Sequence, residues 1–316
     1  MKIHHKEERP LLYLSGPLAV GEDKLQELGC KYRCFSYAYV CKGAFFYSKT
    51  YAKQLDRCLD LGMGVMMDSS AFSFHEFLRK RSGKYFGANL EKMKEDTIER
   101  YVEFAKKNGK KWDFYVTFDY IKHCPTIYEM TKRLEKEGIR PIPVYHGDHG
   151  TEWIERYCKE GYKLIGIGSL IRSYKNKRAY YDKCFNIAEK YGVLLHGLGQ
   201  TSLSHMFMFP WYSLDSATWA KFAAYGFIIY PDQHRNTIGS YHVTGKKVGG
   251  TELHLLPKDM QKEIARSVEE CGFDLHTLKT DGKQRALYNV YVFCNKLHQL
   301  KETVRDTRTK WRSLLA

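Results

Sequence analysis

The chain has 316 residues, 43% of them hydrophobic, which is enough for a sizeable core and indicates a globular rather than a disordered protein. No apolar run approaches the roughly 18 residues needed to cross a bilayer, the first ten residues hold no signal-peptide core, and nine scattered cysteines form no disulfide pattern, so a cytoplasmic setting is expected. Lys and Arg total 51 against 36 Asp and Glu, a formal charge of +15, which favours an acidic partner, with nucleic acid the commonest.

Short apolar, β-prone runs recur from the start of the chain to about residue 216. They read LLYLSG (11–16), CFSYAYV (34–40), GVMMDSS (64–70), DFYVTFD (113–119), IRPIPVYHG (139–147), KLIGIGS (163–169), GVLLHGLG (192–199) and WYSLDS (211–216). Amphipathic stretches lie between them, such as LEKMKEDTIERYVEFAKKNG and TIYEMTKRLEKEG, the second closing on Gly138 as a helix C-cap does. Strands alternating with helices predict parallel βα units, and eight of them predict an α/β fold of the (β/α)₈ barrel type over residues 1–225. A doubly wound open sheet is the alternative, weakened because no GxGxxG or GxxxxGK[ST] loop follows a strand. From residue 226 the pattern changes. HVTGKKVGGTELHLLP reads as loop or a short hairpin, and the rest as helix, so 226–316 is predicted to be a basic, mostly helical extension packed on the barrel.

Active sites of such barrels lie at the C-terminal ends of the strands. There the sequence places Asp68 with Ser69 and Ser70, Asp119, His146 with Gly147, Gly168 with Ser169, His196 with Gly197 and Gly199, and Asp215. Any one of these aspartates is open to a plainer reading as the N-cap of the next helix. Three carboxylates on one rim support substitution at an anomeric carbon, in which one acid attacks carbon and another moves the leaving group's proton. Apolar surroundings raise the pKa of the proton carrier and separate the two roles near neutrality. Cations cluster in FLRKRSGK (77–84), IRSYKNKRAYY (171–181) and RDTRTKWR (305–312). Arg79, Lys80 and Arg81, and Arg172, Lys175, Lys177 and Arg178 are therefore the expected phosphate contacts, although each run also suits a solvated helix face.

The ordered set MDSSAF, FD, YHG, GIGSL, HGLG and SLDS resembles the guanine-exchanging tRNA transglycosylases over roughly residues 10–225. The resemblance implies a TIM barrel in which Asp215 is the nucleophile and Asp68 the general acid/base. It also implies that Asp119, His146 (where the family has Gln), Gly147, Gly168, Ser169, Leu170, His196, Gly197 and Ser69 surround the base; Phe72, Tyr120 and Tyr145 could stack on it, although ordinary core is the favoured reading of each. Two departures stand out. The family's CxCxxC-and-His zinc site has no counterpart, since only Cys271 and Cys294 follow Asp215, and the Gln of its DSGGFQ is Ser73. With its short chain and PWYSLDSATW run, the sequence is most similar to the compact phage-type relatives that insert 7-deazaguanines into DNA.

The expected activity is therefore exchange of guanine in a nucleic acid, DNA favoured over tRNA, for a free 7-deazaguanine, with no metal or organic cofactor. Ser169 and Leu170 offer no acid to demand an amine, which leans toward a neutral nitrile-bearing base. A base-removing N-glycosylase, a non-catalytic nucleic-acid-binding barrel and a barrel enzyme acting on a small phosphate ester are the alternatives.

Overall fold

The structure, a computed structural model, describes residues 10–16, 21–81, 87–119, 123–147, 150–168, 177–232, 237–245 and 249–297. Eight strands form one sheet: β1 (Leu11–Ser15), β2 (Tyr32–Ser36), β3 (Gly64–Asp68), β4 (Phe114–Tyr115), β5 (Val144–Tyr145), β6 (Leu164–Gly168), β7 (Leu194–Leu198) and β8 (Ser213–Ser216). The helices of this region are α1 (Glu22–Glu27), α2 (Tyr37–Val40), α3 (Lys49–Asp60), α4 (Ala71–Arg81), α5 (Gly87–Asn108), α6 (Cys124–Lys136), α7 (Glu152–Lys159), α8 (Lys177–Tyr191), α9 (Leu203–Met208) and α10 (Thr218–Ala224).

Every pairing in the sheet is parallel, in the order β4-β3-β2-β1-β8-β7-β6-β5. The two edges meet at a bridge between Val116 and Ile142, where Ile142 N–H donates to Tyr115 O at 2.9 Å and Thr117 N–H to Ile142 O at 3.0 Å. The sheet thus curls until its edges touch, an all-parallel α/β arrangement of TIM-like form.

Strands buried on both faces explain the continuous apolar runs. Leu11, Tyr13, Cys34, Met66, Phe114, Val144 and Leu164 point inward and fill the interior of the sheet. Their neighbours Leu14, Phe35, Val65, Met67, Ile165, Leu195 and Leu214 point outward into a second apolar layer shared with the helices. Because direction alternates with every residue, the last residue of each strand is either a site residue or a packing residue, and register decides which.

Two expectations change. CFSYAYV is not one strand: β2 ends at Ser36 and the remaining apolar residues form α2, a division that an apolar run without period does not reveal. Ahead of its helices, the segment after 226 also holds strands that the sequence did not announce. It contains β9 (Phe227–Asp232) and β10 (Thr237–His242) as an antiparallel pair, with β11 (Thr251–Glu252) parallel to β10, before α11 (Lys258–Glu270), α12 (Leu275–Thr280) and α13 (Gly282–Tyr291). The basic run 305–312 lies outside the described residues.

This second unit is tied to the first by buried side chains. Asn289 accepts from Ile229 N–H at 2.9 Å and donates to Trp219 O at 3.2 Å and Phe227 O at 3.1 Å. Arg285 donates to Ala223 O at 2.8 Å. On the opposite side of α10, Trp219 Nε1 donates to Ser15 O at 3.1 Å, so α10 is braced between α13 and the end of β1. The end of β1 is held from below as well. Arg33, fully buried, pairs with buried Glu22 at 2.8 Å and donates to Gly16 O at 2.9 Å and to Leu14 O.

Candidate active site

The ends of β8, β1, β2 and β3 lie side by side and carry Asp215, Ser15, Ser36 and Asp68. Each acid takes a hydrogen bond from the serine of the strand beside it. Ser15 donates to Asp215 Oδ2 at 3.1 Å, and Ser36 donates to Asp68 Oδ2 at 2.7 Å. The two carboxylates are three strand spacings apart around the rim, about 4.8 Å each, and near enough for the charge of Asp215 to act on Asp68.

Asp215 receives two further donors. Gly199 N–H points at its Oδ1 at 2.7 Å, and His196 Nε2 lies 3.4 Å from the same oxygen. With Nε2 protonated, His196 Nδ1 accepts from Ser213 Oγ, 2.7 Å away. Asp215 does not cap the following helix: the residue preceding α10 is Ala217, with no side-chain cap, and Thr218 N–H donates to Ser216 Oγ instead. The plainer reading of this aspartate is thereby removed.

Asp68 sits on a tight turn. Its Oδ2 also accepts from Ser70 N–H at 2.9 Å, and Ser70, the one non-glycine among the described residues with positive φ (+62°), is fixed by accepting Ala38 N–H at 2.8 Å. Burial pushes the Asp68 carboxyl up to about 6; the negative charges of Asp215 and Asp119 push the same way, and the bonds from Ser36 and Ser70 oppose them. Cys34, inside the sheet below, has its thiol pushed up by burial and then by Asp215 and Asp68. The mouth is therefore an electronegative, poorly hydrated place for a proton.

Asp119 bonds His146 Nε2 through its Oδ2 at 2.8 Å, while its Oδ1 is buried and has no partner among the described residues. The His146 ring lies so close to Gly168 that a β-carbon there would come within 2.2 Å of it, so only glycine admits this approach. Asp119 is no helix cap either, since His123 caps α6 through its Nδ1, 3.3 Å from Thr126 N.

Several expected base contacts are placed elsewhere. His196 is fully buried beneath Asp215, edge-on to Tyr13 and Phe114, and supports the acid rather than lining the mouth. Gly197 faces outward, where a β-carbon would meet Leu214 and Trp211, so it serves packing between sheet and helices. Ser69 is buried and borders a cavity behind the rim. Tyr145 is core, the reading favoured for it: it stacks on Tyr180 and donates to Gly150 O at 2.8 Å. Gly147 is buried directly after His146. Lys177 and Arg178 are exposed at the start of α8. The backbones of Phe72, Arg79, Lys80 and Arg81 belong to α4, and their side chains lie outside the described residues, as do Tyr120, Ser169, Leu170, Arg172 and Lys175 entirely.

Sequence reading missed Ser15 and Ser36, and it named Gly199 without its role as an amide donor to Asp215. Nothing marks a strand-end serine by itself. The signal lies in the parallel register, which sets Ser36 opposite Asp68 and Tyr13 opposite Asp215. No family model matches this chain, and no curated protein matches it.

Proposed function

We propose that the protein is a base-exchange glycosyltransferase on a TIM-type (β/α)₈ barrel, replacing guanine in a nucleic acid, DNA favoured, with a 7-deazaguanine. One observation carries the reading: two acids three strands apart on one rim have unlike surroundings. Asp215 is surrounded by three donors, whereas Asp68 is raised to about 6 chiefly by burial. Unlike surroundings are how two carboxyl groups divide the roles of nucleophile and proton carrier.

The target nucleotide turns out of its stack into the mouth. Asp215 attacks C1′; the C1′–N9 bond breaks, its electron pair stays on guanine, and protonated Asp68 gives the departing base its proton. The 7-deazaguanine then takes the vacated place and loses its ring N–H proton to Asp68. Its nitrogen attacks C1′, and the ester bond to Asp215 breaks to restore the carboxylate. The buried Oδ1 of Asp119 supplies an acceptor suited to the N–H edge of guanine, with His146 fixing its other oxygen. The sheet interior below, closed by Tyr13, Cys34 and Phe114, keeps water from the far side of the mouth.

The test is incubation with labelled guanine and either duplex DNA or tRNA. Label entering one polymer, with a denaturation-resistant adduct lost in Asp215→Asn, is the expected result. Abasic sites without incorporated label would mean base removal by water, and undiminished exchange in Asp215→Asn would refute the nucleophile.

A further inference from the structure

At the end of the sheet opposite the mouth, the first unit and the second meet at a small joint. One half is the turn 28–30 ahead of β2, where Gly29 has φ +88°. The other is the π-helical turn Val292–Lys296 that follows α13. Two successive side chains of the π turn reach across. Asn295 Nδ2 donates to Leu28 O at 2.7 Å, and a β-carbon on Gly29 would come within 2.7 Å of Asn295 Oδ1. Beside them the Cys294 thiol hydrogen-bonds the Cys30 sulfur. Cys30 is itself fixed, its N–H donating to Leu25 O at 3.0 Å and its thiol to Tyr32 O at 3.4 Å.

This pair differs from the other cysteines. Burial pushes the thiols of Cys34, Cys58, Cys158, Cys184 and Cys271 up, which keeps them protonated and inert. At Cys30 the hydrogen bond from Cys294, helped by the Arg33 guanidinium, outweighs burial and holds the thiol below its usual range. The joint is also within reach of solvent. Cys294 lines a cleft of ≈ 20 Å³ together with Gly29 and Lys31, the chain neighbours of Cys30. A space of that size holds about one water molecule, so it suits a small oxidant and not a bulky one.

We propose that Cys30 and Cys294 are a peroxide-sensitive pair whose disulfide fastens the second unit to the base of the first. The Cys30 thiolate attacks one oxygen of hydrogen peroxide, the O–O bond breaks, and hydroxide leaves with the electron pair, which gives a sulfenic acid at Cys30. Cys294 gives its proton to that hydroxide, and its sulfur attacks the Cys30 sulfur. The S–O bond breaks, and the second hydroxide takes up the proton released when Cys30 ionised. Two thiols and one peroxide thus become one disulfide and two waters. The link closes nearly the whole chain into a loop, which constrains the unfolded state strongly. None of this depends on the exchange chemistry at the mouth.

The test treats the reduced full chain with a modest excess of hydrogen peroxide, blocks the remaining thiols with N-ethylmaleimide and maps its peptides without reduction. A peptide linking Cys30 to Cys294, formed before other cysteines are oxidised and reopened by dithiothreitol, is the expected product. The oxidised chain should melt about 5–10 °C higher, with slower amide exchange across 292–296. In Cys294→Ser the sulfenic acid at Cys30 has no partner and should be trapped by dimedone; no adduct there would refute Cys30 as the attacking sulfur. Cys58, whose thiol also senses Cys30, is the competing partner. A link between Cys30 and Cys58 overturns the proposal, as does a chain in which Cys30 and Cys294 stay reduced. A Cys30-to-Cys294 link that leaves the melting temperature unchanged overturns the fastening.

Discussion

Asp68 carries a penalty that its neighbours do not remove. Its folded pKa of about 6 lies above the unfolded value of about 3.9, so between those pH values the folded chain binds more protons. Stability from this group therefore falls as pH rises from about 4 to 6, and the penalty is complete above that window. Asp68→Asn is expected to raise stability at pH 7 by about 2 kcal/mol, a gain that disappears by about pH 4; denaturant melts at the two pH values check it. Asp215→Asn removes a like charge, and the Asp68 carboxyl should then titrate below 6, read by ¹³C NMR of labelled aspartate. An unchanged titration would mean that the two acids do not sense each other. Asp68, Asp119, His146 and Asp215 were legible because polar residues that end apolar strands stand out against their run. Ser15 and Ser36 were not, because a terminal serine is ordinary until register puts it beside an acid.

Among the elements, alternation of strand and helix was readable wherever a run was apolar on both faces and flanked by turn residues. Failure came where a pattern served two states. The apolar residues of CFSYAYV divide between β2 and α2, and FIIYPD and TIGSYH pair antiparallel although no Asn-Gly or Asp-Gly, the pair that marks a tight turn, lies between them in the sequence. At the end of β6 the constraint is steric. Gly168→Ala would drive a β-carbon into His146, which is backed by its bond to Asp119. We expect a loss of about 1–3 kcal/mol in calorimetry, with a displaced His146 ring resonance. If the melting point and that resonance both stay put, the close approach is not as described.

For the molecule as a whole, the second unit is joined to the first by a few buried polar side chains. Asn289→Ala strands Ile229 N–H together with Trp219 O and Phe227 O, and is expected to destabilise the protein by about 2–4 kcal/mol. Amide exchange should then quicken in β9 and α10 together, whereas an effect confined to β9 would argue against the bracing of α10. The charge of +15 belongs to this scale too. A polymer held through about six phosphates loses roughly a thousandfold in affinity between 50 and 200 mM salt, and a flat salt dependence would exclude a phosphate-led interface.

The seam where β1 lies along β8 has a consequence for how the protein comes into being. Ser15 and Asp215 are 200 positions apart, so one arm of the mouth waits for the other. At ~5–20 residues per second, the ribosome takes about 10–40 s between them. Throughout that interval β1 has an open parallel edge, the kind of surface that recruits stray strands. A nascent chain that stalls before residue 213 would thus lack Asp215 and keep an adhesive edge, which makes the last strand of the sheet the point at which that edge is closed.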